Sequence, residues 1–158
     1  MDRSCNWLSG MRRYLAVIAA GNLAWEIAQM PLYTLWWTAS AREIGIAVIH
    51  CTGGDLLIAV SALIASLLLF GSADWPRSRF LWVGGMAIAL GFSYTIGSEH
   101  LNTARNVWAY SEWMPILPGL GTGLAPFAQW IVVPLLAFAV ALLPLSSEAR
   151  AGQAWRSP

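Results

Sequence analysis

Four long apolar stretches, at about residues 14–37, 44–70, 80–98 and 125–145, leave this chain few ways to fold. Each is near or above the roughly 20 residues a helix needs to cross the hydrocarbon core of a bilayer. Hydrophobic residues make up 58% of the chain and charged residues 11%, with a mean hydropathy of +0.58. A soluble domain of 158 residues with that composition would lack the polar surface to cover itself. The expectation is an all-α, polytopic membrane protein: a four-transmembrane-helix bundle forming a single membrane domain over residues 1–158.

Charge and cysteine content narrow the function. The chain contains no lysine and its net charge is +1, which leaves no electrostatic footprint for nucleic acid. Cys5 and Cys51 share no metal or redox spacing. Arg3, Arg12 and Arg13 precede the apolar run Leu15 to Ala20 in the manner of a signal peptide, yet the run continues to Trp37, so an uncleaved first span is expected. Arginines flanking the spans are enriched on the cytoplasmic side. With both termini cytoplasmic, Arg3, Arg12, Arg13, Arg77, Arg79, Arg150 and Arg156 lie inside and only Arg42 and Arg105 outside. The chain is therefore expected in a bacterial inner membrane, with the loop 99–124 on the outer side. In that loop Leu101, Ala104 and Trp108 recur at helical spacing, which predicts a short helix that either continues span three or lies in the interface. Trp108, Tyr110 and Trp113 suit an aromatic belt at headgroup level. Pro115, Pro118, Gly119, Gly121 and Gly123 forbid regular helix until about Ala125.

Glu26 interrupts the first apolar stretch, where charge is costly and a carboxyl group signals function. It belongs to Asn22-x-x-Trp25-Glu26-x-x-Gln29-x-Pro31-x-Tyr33, in which Asn22, Glu26, Gln29 and Tyr33 are spaced four, three and four apart and share one helix face. Thr95, Glu99, Asn102 and Asn106 repeat that spacing in the third span. Asp55 sits about a dozen residues into the second, after Gly53 and Gly54, which are expected to let a neighbouring helix approach closely. By depth, Glu26, Gln29, Tyr33, His50, Cys51, Asp55, Tyr94, Glu99 and Gln129 all fall in the outer leaflet, while Ala62 to Phe70 and Leu135 to Leu143 are almost purely apolar. One polar pocket opening outward is expected. Glu26, Asp55 and Glu99 are its candidate catalytic groups, since three buried carboxyl groups cannot all ionise cheaply and one then holds a proton for general acid work. Asn22, Trp25, Gln29, Tyr33, Tyr94, Asn102, Trp108 and Gln129 are the candidate substrate-binding residues. Trp25, beside the buried acid, offers a ring face to a carbocation.

The sequence Asn22-Leu23-Ala24-Trp25-Glu26, followed by an aromatic residue a turn or two later, resembles the N-x-x-W-E stretch of the membrane-bound meroterpenoid cyclases. The resemblance covers five residues. It implies Glu26 as one member of an acid pair that protonates an epoxide or olefin and triggers ring closure without metal, acting on a lipid or isoprenoid, with Asp55 or Glu99 as partner by depth alone. The chain is shorter than the seven-span members of that family, so such a pocket calls for a homodimer. His50-Cys51-Thr52-Gly53-Gly54-Asp55 and Trp108-Ala109-Tyr110 ahead of Met114-Pro115 also look like segments of small bacterial four-span membrane proteins, which implies no activity.

The residues admit other functions. On a second reading Glu26, Asp55 and His50 are protonation sites of a proton, ion or small-molecule transport component, although the apolar inner leaflet offers no continuation to the cytoplasm. His50 and His100, in adjacent spans at similar depth, are candidate ligands of haem or, with Asp55 and Glu99, of a divalent metal. A helper subunit whose polar residues dock a partner is the remaining reading. No cofactor is expected on the first reading; the partners are membrane lipids and a hydrophobic small molecule.

Overall fold

The computed structural model describes residues 3–76 and 78–143. Five helices follow in order: α1 (Arg3–Gln29), α2 (Leu35–Thr38), α3 (Ala41–Phe70), α4 (Phe80–Ala104) and α5 (Leu124–Ala141), and the described residues contain no strand. Trp7–Leu32, Ala41–Phe70, Phe80–Ala104 and Leu124–Ala141 are long and apolar enough to cross a membrane. The chain is a multi-pass membrane protein built as a bundle of α1, α3, α4 and α5.

The helix limits depart from the hydropathy pattern where the backbone chemistry overrides it. The first apolar stretch runs to Trp37, but α1 starts eleven residues earlier, at Arg3 rather than residue 14, and stops at Gln29. Pro31 is the reason. It has no N–H to offer the carbonyl four residues back, and its ring crowds that carbonyl. The chain turns through one 3-10 turn, Met30–Leu32, and Tyr33 is extended at φ −113°, ψ 148°. Trp36 and Trp37 therefore belong to α2, outside the first span. Ser40 then starts α3: its hydroxyl accepts from the Glu43 N–H and the Glu43 carboxylate accepts from the Ser40 N–H at 2.8 Å, a reciprocal cap. The helical stretch expected after the third span is α4 itself, which runs on to Ala104; the separate short helix, α2, lies between the first and second spans. From Arg105 to Gly123 the chain is irregular, with Gly119 and Gly121 at φ 83° and 66° as the glycine-rich sequence requires.

Helices α1 and α5 run antiparallel in close register. A side chain at Gly10 would meet the Ala141 carbonyl, Tyr14 packs on Phe138 with ring centroids 4.7 Å apart, Gly21 faces Val133, and Asn22 and Glu26 reach Gln129. Against α4, helix α5 sets Phe138 edge-on to Phe80 and Phe127 edge-on to Phe92, while Trp130 lies over Gly91. The apolar core, with Tyr14, Ile18, Leu63, Val83, Val133, Ala137 and Phe138 at its centre, fills the half of the bundle holding the α1 N-terminus. Arg13 ties that end together by donating to the Leu143 carbonyl. Leu57, Leu68, Leu81 and Leu135 point outward, as lipid-facing side chains do.

Gly53 and Gly54 do not mediate close packing, contrary to the expectation from their spacing. A Cβ at either position has no neighbour within 4 Å. The expected outcome for Gly53→Ala is thus a stabilised helix, by about 0.5–1 kcal/mol from backbone entropy alone. Thermal unfolding in detergent checks this; a lower midpoint would mean that something packs against Gly53 after all.

Candidate functional site

The half of the bundle opposite the core is hollow. A cavity of about 590 Å³ is walled by all four spans and roofed by the segments 33–38 and 106–109. Pro31 makes the roof possible: by ending α1 it frees the backbone of 32–34 to pair with the loop beyond α4. The Thr34 N–H donates to the Ala109 carbonyl at 2.9 Å and the Ser111 N–H donates to Leu32 at 2.9 Å. Tyr33 and Tyr110 oppose each other there as a β-bridge, with rings 5.5 Å apart.

Helical spacing delivers the polar floor. Asn22, Glu26 and Gln29 are all buried on the inner face of α1, and Gln129 is buried opposite them on α5. Gln129 Nε2 donates to Asp55 Oδ2 at 2.8 Å, Asn22 Oδ1 at 3.0 Å and Glu26 Oε1 at 3.1 Å. Gln29 Nε2 also donates to Glu26 Oε1, at 2.7 Å, and more weakly to Gln129 Oε1 at 3.4 Å. Asn22 is oriented in turn, because its Nδ2 donates to the Ile18 carbonyl at 2.9 Å and so leaves its oxygen facing Gln129. The Glu26 and Asp55 carboxyl groups thus accept from the same amide nitrogen. Two acids from different helices brought to one donor in a buried site cannot both ionise cheaply.

Glu99 is the third carboxyl group and is held differently. Its Oε2 accepts from the Tyr110 hydroxyl and from Trp108 Nε1 at 3.4 Å. Tyr110 also accepts from the Gly123 N–H at 3.2 Å, so Glu99 and Tyr110 bind the loop over the cavity to the start of α5. Burial first, then the hydrogen bond to Glu99, holds the Tyr110 hydroxyl above the usual tyrosine range, so it remains a donor at neutral pH. Trp108 and Tyr110 are thus parts of the site as well as aromatic residues near the end of a span.

Of the residues singled out from the sequence, Glu26, Gln29, Tyr33, Asp55, Tyr94, Glu99, Asn102, Trp108 and Gln129 line the cavity. Asn22 does not; it lies buried beneath the floor and acts through Gln129. Trp25 is displaced as well. It packs against the apolar core, because the helix turn that aims Glu26 inward rotates its neighbour about 100° away. Its ring face is not available to a ligand in the cavity. His50 is at the cavity edge, but His100 lies outside the lining and contacts Thr122 at 3.4 Å, so the two histidines do not converge there. Among the described residues no group of three or more His, Cys, Asp or Glu side chains is arranged to hold a metal ion. Cys51 is a free thiol in the lining.

Sequence reasoning passed over Trp130. It is 3% exposed and forms part of the cavity wall. The signal was present: Pro126, Gln129 and Trp130 are spaced three and four apart, on one face of α5. Met30 and Pro126 are further lining residues that it missed.

No family model, curated protein or solved structure matches this chain. Its function is therefore argued from the cavity alone. The lining holds three carboxyl groups, several amides and hydroxyls, and four large aromatic rings, from Tyr33, Tyr94, Trp108 and Trp130. Among the described residues it contains no arginine or lysine. A phosphorylated or carboxylated head would enter a field of its own sign with no cation to meet it.

Proposed function

We propose that the protein is an intramembrane acid–base enzyme that cyclises or isomerises an uncharged, unsaturated or epoxidised lipid, an isoprenoid being the chemistry that fits best. The observation that carries this reading is the Glu26–Asp55 pair, bridged by Gln129 on the floor of a cavity in the bundle. A carboxyl group that holds a proton beside an apolar space is a general acid poised against a weakly basic substrate. The protonated member of the pair adds its proton to an olefin carbon or an epoxide oxygen. The cation so formed is captured by a second double bond of the same molecule, or simply shifts, and a neighbouring C–H then returns a proton to the carboxylate pair. The product is an isomer of the substrate and the enzyme is regenerated.

The walls suit that course. Tyr33, Trp108 and Trp130 offer ring faces that stabilise a passing cation, the part first assigned to Trp25. The cavity volume falls in the range for a ligand of drug-like size. Glu99 serves as a positioning residue, keeping Trp108 and the roof in place. Arginine counting supports an orientation with both termini cytoplasmic and the cavity in the outer leaflet, and the reading takes the membrane to be a bacterial inner membrane.

The test uses the protein in nanodiscs, prepared in D2O and incubated with a panel of unphosphorylated polyprenyl alcohols, quinols and their epoxides. The expected product is an isomer one mass unit heavier than the substrate, with deuterium at the protonated carbon or on the new hydroxyl. The new hydroxyl exchanges in H2O and the carbon-bound label does not, which separates epoxide from olefin protonation. Unchanged substrates across the panel would remove the proposal.

A further inference from the structure

The route into the cavity is written in which helices touch and where. The buried residues of α3 lie mostly in its second half, at Ala59, Ala62, Leu63 and Ser66, and those of α4 mostly in its first half, at Val83, Gly84, Ala87 and Gly91. These two halves sit at the same end of the bundle. Towards the other end both helices line the cavity instead, with Cys51, Gly54 and Asp55 of α3 and Thr95, Ser98 and Glu99 of α4. Directly above, the roof is fastened by the Thr34–Ala109 and Ser111–Leu32 backbone bonds and by the Glu99–Tyr110 tie. The top is pinned while the side is not.

The side opening is also deep. His50 of α3 and Tyr94 of α4 line the cavity and are at the same time exposed on the outside of the bundle, Tyr94 by 60%. Tyr94 lies ten residues before the end of α4. At a rise of about 1.5 Å per residue that is ~15 Å below the helix end, within the apolar stretch 80–98. A tyrosine there, with its ring turned to lipid, costs free energy unless it borders a polar space. Tyr94 does border one.

We infer that the cavity is loaded sideways from the bilayer, through a mouth between α3 and α4 with His50 and Tyr94 on its rim, by a membrane-dissolved amphiphile that leads with its uncharged polar end. Its hydrocarbon tail stays between the helices or in the lipid while the head reaches Glu26 and Asp55. The inference rests on the proposed function only for the identity of the head; the route itself follows from the geometry. Gly54 lines the cavity and has open space where a Cβ would stand, so a larger residue there would narrow the mouth.

The experiment is photolabelling in nanodiscs with a long-chain alkanol bearing a diazirine near its hydroxyl, followed by mapping of the modified residues. Label is expected on cavity residues of both α3 and α4, Asp55 and Tyr94 among them. Gly54→Trp should cut that internal labelling at least tenfold while leaving the label on outward-facing Leu57 and Leu68 unchanged, which also serves as the folding control. Internal labelling that Gly54→Trp leaves intact, or label confined to the outer surface in the unaltered protein, would overturn the side route. The alkanol carries no double bond or epoxide to protonate, so its labelling reads the route whatever becomes of the acid chemistry. Failure of the acid chemistry and failure of the route are then read separately.

Discussion

Glu26→Gln should reduce turnover by about 100-fold to 10,000-fold, the usual contribution of a positioned general acid, while the bundle folds as before. The substitution is close to isosteric. Glu26 Oε1 accepts from both Gln29 and Gln129, and the amide oxygen of a glutamine can accept the same two bonds. Only the exchangeable carboxyl proton is lost, so the two roles of the residue, structural acceptor and proton donor, come apart. The informative measurement is the rate of isomer formation beside the thermal midpoint in detergent. Full activity in Glu26→Gln would dismiss Glu26 as the acid. A midpoint many degrees lower would instead mark the carboxylate as a structural element, because breaking a buried polar network destabilises the whole.

Gly91→Ala is the second substitution with a large expected effect, and it acts by packing. A Cβ at Gly91 would stand 2.1 Å from Trp130 Cζ3 and 2.4 Å from Cε3. No real contact is that short, and the Trp130 ring, 3% exposed, has little room to withdraw. Overpacking of this kind costs about 1–3 kcal/mol, read as an earlier unfolding transition. Because Trp130 also walls the cavity, ligand binding should weaken in the same variant. Trp130→Leu removes the offending ring atoms, so the double substitution should recover part of the stability lost in Gly91→Ala, though not the binding. Strictly additive losses in the double variant would mean that the two residues do not meet.

How much of this was legible in the chain follows from which interactions are local. The faces shared by Glu26 and Gln29 on α1 and by Thr95, Glu99 and Asn102 on α4 were readable because three- and four-residue spacing is a property of one helix, whereas Tyr33 and Asn106, expected on the same faces, lie beyond the helix ends and reach the cavity from the segments over it. All seven residues line the cavity. Spacing also carried Asp55 and Gln129 to the right depth, though not to each other. It misjudged Trp25, since adjacency to Glu26 in sequence means separation on a helix. It misjudged Gly53 and Gly54 as well, because a missing side chain serves close packing and open space equally, and only the neighbours decide between them.

The sequence by itself determined the class of protein, the existence of four spans and the concentration of polar side chains in one half of them. These follow from hydropathy and helical period, which are summed over a segment and need no partner. The tertiary structure alone decided that the backbone freed after Pro31 pairs with the loop beyond α4 to build a roof. It decided too that Tyr110 reaches back to Glu99, that Trp130 lies on Gly91, and that one glutamine on α5 joins acids from α1 and α3. Each of those contacts joins residues far apart in the chain. Their geometry is set by how the helices cross, and no local pattern of residues records that.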